Sequence, residues 1–318
     1  METNKESSLD VLLSRYQVRR SKKQKDAFIG YIAEVCQAQG FSFREEPLKG
    51  GMNTSRNLIV GDPETAKVVY IAHYDTCSEM PLPNLIYPQH KALTVLVQMP
   101  LIFLMLLLSF GVAWAVYRVG GRVPAFIAWY VVYFGLFALI FFGPANPHTA
   151  NDNTSGVAAL LEIMAALPEE RKQSAAFIFF DNEELGKVGS KAYAKAHPGQ
   201  MEGKILLNLD CVGDGDDFLI IAPKQEEPSL EQALRAAFQD ENGKRAIHCS
   251  AKNISYNSDQ LSFPNGAAVA AVRKGRLGYH VPRIHTRRDV VCEEASLRYV
   301  RDGALRLLNH QSNQEEHA

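Results

Sequence analysis

From Phe177 to Gly186 the chain reads FIFFDNEELG. An apolar run of strand character ends, and three carboxylates follow within four positions: Asp181, Glu183 and Glu184. Carboxylates this close raise one another's pKa, and burial at a strand end sharpens the repulsion. A divalent cation resolves the conflict. One glutamate binds it, and its neighbour stays free beside the activated water to take a proton.

Other runs end in residues of the same kind. VVYIAHYD (68–75) ends in His73 and Asp75, and ILLNLD (205–210) ends in Asp210. HTANDNTSG (148–156) sets Asp152 just ahead of a helix, and RIHTRRD (283–289) supplies His285. Two histidines and several carboxylates suit one or two divalent ions, with Zn²⁺ favoured and Mn²⁺ or Co²⁺ also accommodated. A lone histidine after an apolar strand is more often a hydrogen-bonded structural residue, so the set carries the reading. Cys77 and Cys211 lie beside these positions and read as buried free thiols. His90, His148, His197, His248, His310 and His317 have no partner pattern and read as surface residues.

Such a set needs a scaffold that gathers strand ends at one edge, as open α/β sheets do. Strands are expected at 68–76, 174–181, 204–210, 217–223 and 267–272. Helices are expected at 155–167, around 189–197, at 228–240 and from Glu293 to His310. Continuous apolar strands alternating with helices imply an α/β fold with a mostly parallel central sheet and helices on both faces.

One stretch departs from this pattern. Residues 92–117 and 123–143 carry no charge, and each exceeds the roughly 20 apolar residues that span a bilayer. Core helices of a soluble domain are rarely so long and charge-free. A transmembrane hairpin over 92–143 is expected, with its turn at 118–122. It would divide a catalytic domain into 1–91 and 144–318 and contact the lipid bilayer. Pro100 would kink the first helix, which membranes tolerate. Trp114, Tyr117, Trp129 and Tyr130 suit an interfacial belt on the turn side. About 15 residues separate Asp75 from the hairpin and about 8 separate its end from Asp152, so the site's mouth should lie close to the bilayer. Arg118 and Arg122 argue for a cytoplasmic turn. The polar and then basic N-terminus without a secretory leader, and the unpaired cysteines, argue for a cytoplasm-facing catalytic domain, which is the orientation adopted.

Lys plus Arg number 34 and Asp plus Glu 35, so no basic field points to nucleic acid. Five cysteines without C-x-x-C spacing form no disulfide framework. The basic run RRSKKQK (19–25) reads as a solvated helix face or a contact with anionic lipid. Oligomeric state is not legible.

In chain order, H-Y-D, N-D-N-x-S-G, D-x-E-E-x-G, N-L-D-x-x-G and H-T-x-x-D resemble the co-catalytic di-zinc aminopeptidases, metallopeptidase family twenty-eight. That family also includes glutamate carboxypeptidase II, glutaminyl cyclase and the catalytically dead transferrin receptor. SDQLSF (258–263) is similar to its Ser-Asp segment, and the likeness covers roughly 25–90 and 145–308. The resemblance implies a zinc-exopeptidase fold and a peptide substrate. It implies that His73 and Asp210 bind one metal, Glu184 and His285 the other, and that Asp152 bridges both. Glu183 would be the general base acting on a hydroxide held between the metals, and Asp75 would orient the His73 ring. Two departures stand out besides the hairpin. Ile284 occupies the place of the family's frequent Tyr, which leaves the oxyanion role open, with Tyr279 and His280 nearby. Cys211 follows a ligand where the family often has an apolar residue. The alternatives are a glutaminyl-cyclase-like acyltransferase using one metal and a non-catalytic receptor or scaffold of the same fold. Retention of the full residue set favours a hydrolase.

Overall fold

The computed structural model describes residues 6–48, 55–225 and 227–315; His317 lies outside them. The chain opens with α1 (Ser8–Arg15), α2 (Lys22–Ala38), β1 (Phe43–Pro47), β2 (Arg56–Val60) and β3 (Val68–His73). Two long helices follow, α3 (Lys91–Gly120) and α4 (Arg122–Phe142). Then come α5 (Gly156–Ala166), β4 (Ala175–Phe180), α6 (Val188–Ala196), β5 (Ile205–Leu209), β6 (Asp217–Ala222) and α7 (Pro228–Ala237). The chain ends with β7 (Arg245–Ser250), β8 (Gly266–Gly275), β9 (Gly278–His280) and α8 (Glu294–Glu315).

The strands before and after the long helices share one sheet, ordered β1-β2-β4-β3-β5-β8-β6-β7, with β9 on β8. Its centre, β4-β3-β5-β8, is parallel, with Val68 opposite Ala175 and His73 opposite Phe180. The pairs β1–β2, β2–β4, β6–β8 and β8–β9 are antiparallel. Every residue of β3, β4 and β5 is buried, which is why these segments read as unbroken apolar runs. Val68, Tyr70 and Ala72 pack with α1, α2, α5, α7 and α8 on one face. Val69 and Ile71 pack with Tyr193 of α6 on the other. The pleat thus sends alternate side chains into two cores.

The basic run is a correction to the sequence reading. Ser21 caps α2 in a reciprocal box with Gln24, so the run does enter a helix. Two of its cations are nevertheless buried. Arg19, fully buried, donates to Tyr74 O at 2.5 Å and Tyr16 O at 2.6 Å. Lys25 pairs with the buried Asp181 and donates to Asn182 Oδ1 at 3.0 Å. Neither is free for solvent or lipid. The first of the three carboxylates in FIFFDNEELG is therefore neutralised by a lysine far away in sequence.

The α3–α4 pair occupies 91–142 and continues through Pro100. Its turn is the single residue Gly121, φ 79°, rather than 118–122. Glycine adopts this left-handed backbone without steric cost. The helices span about 45 and about 32 Å, against about 30 Å of hydrocarbon. Of their most apolar stretches only 11% and 0% is buried, so they are not core helices. They meet through Phe110 and Trp129, ring centres 5.7 Å apart, around the buried Met105, Ser109 and Ala125.

The feet of the pair are tied to the α/β body. Arg20 donates to Gly143 O at 2.6 Å and to Phe141 O at 2.7 Å. The Thr94 hydroxyl accepts from Tyr87 N–H at 2.8 Å, and Gln98 donates to Asn84 at 3.3 Å. The segment before α3 bridges Ile86 to Val281 and donates from Met80 N–H to His285 O at 2.7 Å.

Candidate metal centre

His73 ends β3, Asp210 follows β5, and the Asp181–Glu184 loop follows β4. Parallel pairing brings these three carboxyl ends side by side. The N-D-N-T-S-G segment stitches them together. Asn153 donates to Leu209 O at 3.1 Å and to His73 O at 3.4 Å, and its own oxygen accepts from Cys211 N–H at 3.2 Å. Asn151 accepts from Gly213 and Asp214 N–H at 2.8 and 3.0 Å. Gly156 is required here because a Cβ would sit 2.2 Å from Leu209 O. The flanking asparagines thereby fix the backbone from which Asp152 projects.

The two oxygens of Asp152 face different histidines. Oδ1 lies 3.3 Å from His73 Nε2, and Oδ2 lies 3.0 Å from His285 Nε2. Asp210 Oδ1 is 3.6 Å from His73 Nε2, and Glu184 Oε2 is 3.3 Å from His285 Nε2. The other four predicted metal-binding residues are therefore gathered around Asp152. Candidate donor atoms of His73, Asp152 and Glu184 all lie within 4.8 Å of one another, and so do those of Asp152, Asp210 and Cys211. Glu183 lines the same chamber, of about 380 Å³.

Asp75 does more than the sequence reading asked of it. Its Oδ1 is 3.5 Å from His73 Nδ1, too long for a strong hydrogen bond. Both oxygens accept backbone N–H groups instead, from Glu183 at 2.9 Å and Glu184 at 3.2 Å. Asp75 thus spaces the glutamate loop from the end of β3.

The electrostatics of the cluster are set by carboxylates and histidines held close together out of water. Burial opposes protonation of His285, but the Glu184 and Asp152 carboxylates outweigh it and raise its pKa to about 10. Burial likewise opposes protonation of His73, and Asp152, Asp210 and Asp75 reverse it. Burial lifts Glu184 to about 8 and drives Glu183 well above the carboxylate range. Glu184 Oε1 and Asp210 Oδ1 are buried and accept no hydrogen bond. Buried carboxylate oxygens without donors, facing paired histidines, fit divalent cations. Burial pushes the Cys77 and Cys211 thiols up, as expected for inert thiols rather than thiolate ligands.

The sequence reading missed several supports. Asp289 closes the H-T-x-x-D motif. Its carboxylate accepts from Asn151 N–H at 2.7 Å and Asp152 N–H at 3.0 Å, so it holds the central aspartate. Its place at the end of H-T-x-x-D was the available signal. Buried Asp214 accepts from Arg273 at 2.9 Å and Arg283 at 2.8 Å, bracing the His285 loop. Asp259 of SDQLSF is fully buried beside the site, and burial raises it to about 7. Asn182, Cys211, Arg283 and His285 have left-handed backbones, each costing about 1–2 kcal/mol outside glycine. Such strain concentrates where geometry is held for function. Tyr279 bonds Arg245 and His280 stacks near Tyr87, and neither lines the chamber. Tyr256 does line it, its hydroxyl donating to Asp210 O at 3.0 Å.

Solved structures share the fold. The glutaminyl cyclase of Porphyromonas gingivalis aligns over 96% of this chain and 99% of its own, with TM-score 0.58 and 18% identity. The LapA aminopeptidase of Legionella pneumophila aligns over 95% and 69%, with TM-score 0.56 and 14% identity. A Zn-dependent exopeptidase from Parabacteroides distasonis ATCC 8503 aligns over 94% and 97%, with TM-score 0.56 and 16% identity. No curated protein matches the sequence. The model of Peptidase family M28 matches residues 134–305, the segment holding Asp152, Glu183, Glu184, Asp210 and His285. With more than half of its 318 residues matched, the chain belongs to peptidase family M28.

Proposed function

We propose that the chain is a membrane-anchored, zinc-dependent exopeptidase of aminopeptidase type. His73 and Asp210 would hold one divalent cation, Glu184 and His285 a second, and Asp152 would be shared. The observation that carries this is the division of Asp152, one oxygen toward each histidine. Bound cations supply Lewis acidity toward the scissile carbonyl and lower the pKa of water. Glu183 takes the proton as the water oxygen adds to the carbonyl carbon. It returns that proton to the leaving amine as the C–N bond breaks. Its place on the chamber wall beside Asp152 and Asp210 suits both duties. Asp75 and Asp289 act through backbone N–H groups and are positioning residues.

A glutaminyl-cyclase-like reaction is the competing reading, supported by the alignment over nearly the whole of such a cyclase. The complete pair of ligand sets favours hydrolysis. Metal analysis of the purified chain and an aminoacyl-anilide panel separate the readings. Two Zn²⁺ per chain and a released amino acid support the exopeptidase. One metal and ammonia released from N-terminal glutamine support the cyclase, and no turnover of either supports a scaffold.

The arms 1–91 and 144–318 form one catalytic domain in this reading, interrupted by a hairpin in the bilayer. Two helices of membrane length with 11% and 0% burial, far from the N-terminus, support it. The catalytic domain faces the cytoplasm, consistent with five free cysteines. A cysteine placed at Gly121 should then be labelled in intact cells, and labelling only after permeabilisation would reverse that orientation. Deleting 92–143 across a Gly/Ser linker should yield a soluble enzyme with altered substrate preference, checked by fractionation and the same panel.

A further inference from the structure

Two chambers meet at the centre. The polar one, of about 380 Å³, contains His73, Asp152, Glu183 and Asp210. A second, of about 490 Å³, adjoins it across Glu184 and His285, which line both. The hairpin forms a wall of this second chamber, through Val97, Leu101 and Ile102 of α3 and Phe137, Ile140 and Phe141 of α4. Gln98 and Phe141 line both chambers, so the hairpin reaches the reacting zone itself.

Apart from Glu184 and His285, assigned above to the cations, the charged groups of the second chamber are already engaged. Among its described residues, Arg20 is committed to the carbonyls of Phe141 and Gly143, and Lys25 to Asp181 and Asn182. Asp75 is committed to the N–H groups of Glu183 and Glu184. A charged substituent would lose its hydration without compensation there. An aliphatic one would gain about fourfold in affinity for each buried methylene. A volume of about 490 Å³ is in the range that encloses a small-molecule ligand.

We propose that the substrate carries an unbranched aliphatic chain next to its scissile amide. The amide lies in the polar chamber and the chain lies against the hairpin. The substrate class is then a lipid-modified amino acid or short-peptide amide resident in the bilayer. The hairpin acts as the specificity wall as well as an anchor. This rests on the exopeptidase reading, and the reaction is the same hydrolysis, with water supplying oxygen to the acid and hydrogen to the amine.

The test uses the full chain in lipid nanodiscs with Zn²⁺ and leucyl n-alkylamides from propyl to dodecyl. We expect kcat/KM to rise about fourfold per methylene and then level off when the chamber is full. Leu101→Trp and Ile140→Trp should each shorten the length at which it levels, and Phe137→Ala should extend it should the bulkier variants fail to fold. Cleavage of the propyl compound with a flat length profile overturns this proposal and leaves the exopeptidase standing. A length gain unaltered in all three variants reports bilayer partition and also overturns it. If no compound is cleaved, the exopeptidase reading fails. Calorimetric binding to Glu183→Gln then decides: tightening with length that the variants truncate supports the chamber, and its absence overturns it.

Discussion

Two regions of this molecule are built from unbroken apolar sequence and meet opposite fates. The strands β3, β4 and β5 are five or six residues long and wholly buried. The helices α3 and α4 are 30 and 21 residues long and mostly exposed, with Met105, Ser109 and Ala125 alone buried. The strands stop at ionisable residues, and the helices run without any between 92 and 117. A short apolar run ending in His73 or Asp210 serves a core and delivers a candidate ligand at its rim. A long one without charge finds no core large enough to hide it, and its length and composition are those that suit a bilayer. The catalytic body therefore buries charges and must pair them, whereas the hairpin presents apolar surface and must be surrounded.

That contrast can be broken at either end. The largest effect is expected at Glu183→Gln, which should cut turnover roughly 10²- to 10⁴-fold with metal content unchanged. Activity within tenfold of the parent would remove Glu183 from its role. Lys25→Met comes next. It strands the buried Asp181 charge and should destabilise the body by about 3–5 kcal/mol, most of it recovered in Lys25→Met/Asp181→Asn. Denaturant unfolding checks this, and an unrecovered double variant would deny the pairing. Leu107→Lys probes the other region. Leu107 is 58% exposed at mid-helix, so in water the change should stay within about 0.5 kcal/mol. In a bilayer it should cost about 2.5–3.5 kcal/mol of insertion, read as lost membrane-integrated protein. Asp289→Asn should lower kcat/KM about tenfold, a typical cost of about 1.4 kcal/mol for a weakened charged hydrogen bond. Metal content should hold while kcat falls more than KM rises, and an unchanged kcat would limit Asp289 to its own turn.

The smallest effect concerns pH. Partial burial lowers the pKa of His248, so the unfolded chain takes up its proton first. Stability should be full above about pH 6.5 and decline as the pH falls toward the lower folded value. His248→Gln should flatten the acid limb of the melting curve, and an unaltered limb would assign it to other groups.

Legibility followed locality. The central strands, α5, α7, α8 and the hairpin could all be read because each element's pattern reports the burial of its own side chains. Strands β1, β2, β7 and β9 could not. They are short, and β1, β7 and β9 are half exposed and mixed in polarity, so neither alternation nor a long apolar run marks them. The candidate ligands were legible because each lies at the end of a recognisable run in a known order. Their braces were not, since Lys25 and Asp181 lie 156 positions apart and Asp289 reaches back 137 to Asp152.

The sequence by itself determined the α/β alternation, the membrane-length hairpin and which residue types arrive at strand ends. Period, length and charge are properties of a segment alone. The tertiary structure decided the division of Asp152 between two histidines, the burial of Arg19 and Lys25, and the joining of an apolar chamber to a polar one. Each of these depends on which segments become neighbours, and chain distance carries no information about that once the sheet has closed the gap.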